Sequence, residues 1–200
     1  MLVLFSPPEN HPNEQDLLQD MFCNGLAVYH LRKPGISLEV FEEYLNAVDQ
    51  KYHNRIVLHN HHEISQVYNV KGIHFKEFHR EQLENKIPEY AKVLRKSGKT
   101  ISSSFHNLDA LNQCSVEFDY QFLSPVFNSI SKSGYTGKGF HVQHCLKKLI
   151  ALGGVHVNRL QEVLELGYAG AAVLGAVWES DNPVTSFKDL QQRMDILTQR

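Results

Sequence analysis

Eight apolar runs, each followed by a stretch of helical character, constrain the fold of this chain more than any other feature. They fall at 2–5, 26–31, 55–59, 72–75, 100–105, 118–123, 149–152 and 169–177. Most are continuously apolar rather than alternating. That pattern suits strands covered on both faces, as in a parallel sheet joined by helical crossovers. Leu17, Leu18, Met21 and Phe22 form one helical stripe between the runs, and Phe41, Tyr44, Leu45 and Val48 form another. Leu160, Val163 and Leu164 precede Gly167, as in a helix that stops at a glycine. Phe187, Leu190, Met194 and Leu197 mark a last helix, with Thr185 or Ser186 as its cap. Pro88 splits or kinks the stretch 80–97, and 140–148 has little room for a full helix. Eight such units in 200 residues predict an α/β fold, a small (β/α)8 TIM barrel. It forms one domain over 1–200, with a shortened helix after strand six; a doubly wound open sheet is the alternative.

The formal net charge of −2 and the lack of a basic block argue against nucleic acid or an anionic membrane surface as partner. No run approaches a membrane span, and the start has neither the basic n-region nor the h-region of a signal peptide. Cys23, Cys114 and Cys145 are odd in number and lack CxxC spacing, as expected of reduced thiols in a cytoplasmic protein. The expected partner is a small molecule, with oligomeric state left open. Twelve histidines raise the question of a metal or of proton transfer.

In a barrel of this kind the chemistry gathers where strands end and βα-loops begin. Strand two ends in His30-Leu31-Arg32, which puts His30 and Arg32 on one side; an arginine there suits an anion. Strand three ends in His59-Asn60-His61-His62, a spacing that two metal ligands could use, with His74 and His106 on later strands. No Asp closes strand eight, so a hydrolytic metal centre ranks low. Strand five carries Ser102, Ser103 and Ser104 ahead of His106, which suits a general acid or base. Strand six leads into Ser124-Pro125-Val126-Phe127-Asn128-Ser129-Ile130-Ser131-Lys132, where hydroxyls and an ammonium suit a phosphate. Gly153 and Gly154, with Leu174 and Gly175 on the next strand, let backbone amides approach an anion between strands seven and eight. Gly134-Tyr135-Thr136-Gly137-Lys138-Gly139 lacks the order of a Walker motif and reads as a mobile flap.

In this order and spacing, the pieces resemble the thiamin phosphate synthase and thiazole tautomerase (TenI-like) family. The match runs from strand two to strand eight. It rests on Ser124-Pro125-Val126-Phe127 with Ser129, Ser131 and Lys132, on Ala151-Leu152-Gly153-Gly154-Val155, and on Leu174-Gly175-Ala176. His30-x-Arg32 and Ser104-x-His106 support it. The resemblance implies that Arg32, Asn60, Ser129, Ser131 and Lys132, beside His30, hold a diphosphate or carboxylate. It also implies that the backbones of Gly153, Gly154, Leu174 and Gly175 hold a thiazole phosphate.

The synthase reaction expels pyrophosphate from an aminopyrimidine diphosphate, with magnesium held by two carboxylates. Here Asn60 is followed by His61, the second carboxylate position falls near His79, and Pro34 replaces a lysine. The resemblance therefore implies a tautomerase of carboxythiazole phosphate, with His106 moving the proton and neither metal nor cofactor. A synthase using Glu77 or Glu63 for magnesium is the alternative, and a non-catalytic phosphate- or thiamin-binding regulator the second alternative.

Overall fold

The computed structural model describes residues 1–83, 85–128 and 136–199. Eight strands pair in sequence order into a closed parallel barrel: β1 Leu2–Phe5, β2 Tyr29–Leu31, β3 Ile56–Leu58, β4 Gly72–Phe75, β5 Thr100–Phe105, β6 Tyr120–Leu123, β7 Leu149–Leu152 and β8 Gly170–Val173. Closure follows from the β1–β8 register, in which Leu2, Val3 and Leu4 face Ala171, Ala172 and Val173. Four runs match the sequence reading to the residue. Runs two, three and six are trimmed at their ends.

Around the barrel lie α1 Glu14–Cys23, α2 Leu38–Ala47, α3 Glu77–Leu83, α4 Ile87–Lys96, α5 Leu108–Gln113, α6 Leu160–Glu165, α7 Gly175–Trp178 and α8 Pro183–Thr198. Their stripes bury Leu18, Met21, Phe41, Leu45, Ala91, Leu94, Phe187 and Leu190 against the outer face of the strands. Within the barrel, Val3, Phe5, Val28, Val57, Tyr120, Phe122, Ile150 and Ala172 form a second, separate core. Two-residue alternation along each strand sorts side chains between these cores.

Three expectations need correction. The eighth run is a strand only to Val173, because Gly175 starts a short helix that turns Val177 and Trp178 inward. The last helix is capped by Asn182, whose side chain accepts from the Thr185 amide at 3.0 Å, and Pro183 opens its first turn. No helix follows β6 among the described residues. Instead the Val142 amide donates to Leu166 O at 2.8 Å, and Val142 is buried. Pro88 divides its stretch into α3 and α4, sitting in the first turn of α4. No helix of the described residues is long and apolar enough to cross a membrane.

Buried charge also shapes the fold. Lys33 and Glu14 form a 2.6 Å ion pair at 1% and 2% exposure. Tyr44 OH donates to Glu14 Oε1 at 2.7 Å, and Tyr29 OH does so at 3.1 Å. A buried pair this well satisfied fixes how α1 and α2 sit on β2 more than it adds net stability.

Candidate active site

At the carboxyl ends of β2–β4 the barrel presents side chains. Lys76, just past β4, donates from Nζ to Asn60 Oδ1 at 3.1 Å. Burial, then the Arg32 guanidinium, lowers the Lys76 ammonium below its ordinary range. Among the described residues neither Arg32 nor Lys76 pairs with a carboxylate. Arg32 is held by its backbone: its amide donates to Ser6 Oγ at 2.7 Å, and Ser6 Oγ donates to its carbonyl at 2.9 Å. Two free cations beside an amide make a corner that favours an anion.

His106 stands at the end of β5 with its side chain 46% exposed. Its Nδ1 lies 3.0 Å from Ser124 Oγ and 3.2 Å from Ser124 O. The carbonyl can only accept, so the tautomer with the proton on Nδ1 satisfies it and leaves Nε2 as a lone pair. Glu77 Oε2 is 3.9 Å from that Nε2. This is the geometry of a ring held at one nitrogen and available for proton transfer at the other.

At the ends of β7 and β8 the barrel presents backbone. Gly153 and Gly154 adopt φ of 98° and 66°, the left-handed region that glycine alone occupies cheaply. A side chain at Gly154 would press into the Asn128 carbonyl, and one at Gly153 would lie 3.0 Å from Pro125. The glycines thus let the end of β7 close on the segment that follows β6: Val126 N donates to Leu152 O and Phe127 N to Gly153 O, both at 3.0 Å. The amides of Gly153, Gly154 and Gly175 donate to no acceptor among the described residues. Leu174 and Gly175 follow β8 directly. Glu179 reaches back over this end, so that a methyl group at Gly175 would lie 2.9 Å from its Oε1.

Below the mouth the interior is polar on one side. His30, His59 and His74 are 0%, 2% and 1% exposed. His30 Nδ1 lies 2.8 Å from His59 Nε2, and His30 Nε2 lies 2.7 Å from Tyr120 OH. His74 Nδ1 and Nε2 lie 2.9 Å from Ser102 Oγ and Ser104 Oγ. Burial pushes His30 down to about 3. Burial, then the neighbouring histidines, holds His59 and His74 well below the histidine range. All three are neutral imidazoles at pH 7.

The predicted site residues therefore separate. Arg32 and Asn60 share the mouth, and Gly153, Gly154, Leu174 and Gly175 occupy the ends of β7 and β8. His30 is corrected: it lies on the Arg32 side of β2 as parity requires, but beneath the mouth, with both nitrogens engaged inside the barrel. Ser129, Ser131 and Lys132 lie outside the described residues, as do the first two residues of the expected flap. The rest of that flap is tied down: Gly137 N donates to Asn128 Oδ1, Lys138 N to Pro125 O and Gly139 N to Val126 O. The His59/His61 pair does not form a site. His61 takes a left-handed turn, with Nε2 3.2 Å from Ile36 O, and His62 Nε2 lies 3.1 Å from His74 O. Lys76 and the Tyr120 link were missed. The strand-end rule pointed at Lys76, the first residue after β4, whereas nothing in the local sequence of Tyr120 announces a histidine partner.

The residues present do not fit magnesium, which takes hard oxygen ligands. A lysine ammonium occupies Asn60 Oδ1. Glu77 lies against Arg80 and His106, and Glu63 is 66% exposed beside His61. Among the described residues only His30, His59 and His74 cluster as metal-ligand types, and they offer nitrogen.

Comparison with known proteins gives a consistent answer. The thiamine monophosphate synthase (TMP-TENI) family profile matches residues 2–177. A thiamine-phosphate synthase of Chlamydia caviae is 25% identical over 206 residues, covering 97% of this chain and 94% of that protein. One from Oceanobacillus iheyensis is 23% identical, covering 86% and 87%. The crystal structure of thiamine phosphate pyrophosphorylase from Bacteroides thetaiotaomicron superposes with a TM-score of 0.74 at 25% identity, covering 98% of each chain. The Pyrococcus furiosus counterpart gives a TM-score of 0.78 at 16% identity, covering 98% and 96%, a likeness of fold.

Proposed function

Because this chain belongs to the thiamine monophosphate synthase family, we propose that it joins an aminopyrimidine diphosphate to a thiazole phosphate. In that reaction the bond from the pyrimidine methylene carbon to the diphosphate oxygen breaks. The thiazole nitrogen forms the new bond to that carbon, and pyrophosphate leaves with the bonding electron pair. The observation that carries the reading is the pair of cations without a carboxylate partner, Lys76 bonded to Asn60 and Arg32 close enough to lower the Lys76 ammonium. Preorganised positive charge at a leaving diphosphate is worth most in a partly dry mouth of this kind. The amides of Gly153, Gly154 and Gly175 would hold the thiazole phosphate across the barrel, and Ser129, Ser131 and Lys132 would extend the diphosphate grip. The test is thiamin phosphate formation by purified protein from the two substrates. Product at the rate of an established synthase supports the reading; none, with both substrates shown to bind, refutes it.

A second reading, isomerisation of carboxythiazole phosphate by proton transfer, is favoured by His106 alone. Its ring is fixed at Nδ1 by Ser124 while Nε2 is left available beside Glu77. The same phosphate-binding amides would serve. His106→Asn should keep ligand binding and abolish hydrogen exchange at the thiazole carbon. Unchanged exchange in that variant excludes this reading.

A further inference from the structure

We propose that His30, His59 and His74 form a binding site for one divalent first-row transition metal of the zinc type, on the floor of the barrel beneath the candidate active site. One ligand atom from each ring lies within 4.8 Å of those of the other two. Zinc bound to nitrogen at about 2.0–2.1 Å needs its ligand atoms roughly 3.4 Å apart. Small side-chain rotations about χ1 and χ2 therefore bring the three rings onto one ion.

Three further observations fit this reading. First, the chain of contacts leaves a nitrogen over. Tyr120 OH, His30 and His59 are linked in series, so whichever way the protons run, both nitrogens of His30 are used. His59 Nδ1 is left buried without a partner among the described residues. Second, the two outer rings carry the support that metal-bound imidazoles require. His30 keeps Tyr120 OH at 2.7 Å on its Nε2, and His74 keeps a serine hydroxyl at 2.9 Å on whichever nitrogen is not bound to metal. Third, all three rings are buried among apolar and polar neighbours, which keeps bulk water from competing for the ion. An all-imidazole set selects zinc, cobalt, nickel or copper over magnesium or calcium.

The place in the fold also suits a metal. His30 lies two residues below Arg32, His74 two below Lys76, and His59 one below Asn60. Side chains two apart on a strand share a face, some 6.6 Å apart along it. His30 and His74 thus lie beneath Arg32 and Lys76, and His59, bonded to His30, joins them at the axis. Three protein ligands leave a fourth position open. Ser104, bonded to His74, occupies the inward step of β5 below the mouth.

The site is closed over, so metal is offered during refolding. The protein is unfolded with chelator present, refolded with Co2+ or Zn2+, and passed through gel filtration. We expect about one metal per chain and the visible absorption bands of tetrahedral cobalt. X-ray absorption at the metal edge should count three imidazoles in the wild type. His59→Asn and His74→Gln should each lose the metal, falling below about a tenth per chain. The surface double variant His141→Gln/His144→Gln should keep it. Refolded native protein that stays metal-free, or fewer than three imidazoles at the edge, overturns the proposal. So does metal lost with the surface pair and retained without His59. The edge measurement needs no variant to fold. Metal content is also read without turnover, so it stands or falls apart from the coupling reaction proposed above.

Discussion

The two halves of the barrel are filled with different chemistry. Strands β2–β5 contribute His30, His59, His74, Ser102 and Ser104 to the interior and Arg32, Asn60 and Lys76 to the mouth. Across the axis, β1 and β6–β8 fill the interior with Phe5, Phe122, Ile150 and Ala172, and offer glycine amides at the mouth. One half recognises through side chains whose charge and protonation can change. The other recognises through backbone, whose geometry can only be kept or broken. A substitution should therefore act on chemistry in the first half and on shape in the second.

The sharpest break is expected in the backbone half. Gly154→Val places a branched side chain at φ 66° against the Asn128 carbonyl. The strained backbone alone should cost about 2 kcal/mol. The expected outcome is a lowered Tm together with loss of thiazole phosphate binding by calorimetry. A variant of normal Tm and affinity would show that the amides are not the phosphate cradle.

In the side-chain half, Arg32→Gln and Lys76→Met should leave Tm nearly unchanged. Each should cut kcat/KM for the diphosphate substrate by roughly 10- to 100-fold, the worth of a charge-assisted contact. Equal losses for the thiazole phosphate would erase the division between the two halves.

Acid should also separate them. Burial pushes His30 from the ordinary 6.5 to about 3, and it lowers His59 and His74 in the same direction. Below 6.5 the unfolded chain takes up protons that the folded barrel refuses. Stability is therefore full above that pH and falls as the pH drops, by up to about 1.4 kcal/mol per unit for each histidine. Urea melts of metal-free protein between pH 7 and 5 should show this slope, and His30→Gln should flatten it by one proton. A stability profile level across that range would mean that the rings are not buried neutral. The smallest effect belongs to Glu179→Gln, which removes an exposed carboxylate beside Gly175 and should tighten thiazole phosphate about twofold.

How much of this was legible beforehand varies by element. The continuous apolar runs at 2–5 and 149–152 became β1 and β7 without adjustment, because strands buried on both faces carry their signal in every residue. The run at 169–177 misled for the same reason. Apolarity shows that a segment is buried, but it does not show that Gly175 has exchanged strand for helix. Asn182 capped the last helix in place of Thr185 or Ser186 because a Pro at the first helical position moves the start upstream. The sequence His59-Asn60-His61-His62 reads as one cluster. The barrel sends His59 to the axis, Asn60 to the mouth, and His61 and His62 to neighbouring carbonyls.

By itself the chain determined the number and order of the strands, where most of them end, and which glycines free the backbone beyond β7 and β8. These are local properties, written in apolar continuity and in residues that tolerate a left-handed turn. Only the tertiary structure decided which of the twelve histidines meet. Strand parity says that His30, His59 and His74 each face one side of their strands, but it is silent about register between strands. Closing the barrel sets that register. It brings His30 to His59 across 29 residues and to Tyr120 across 90, onto one axis that no local pattern encodes.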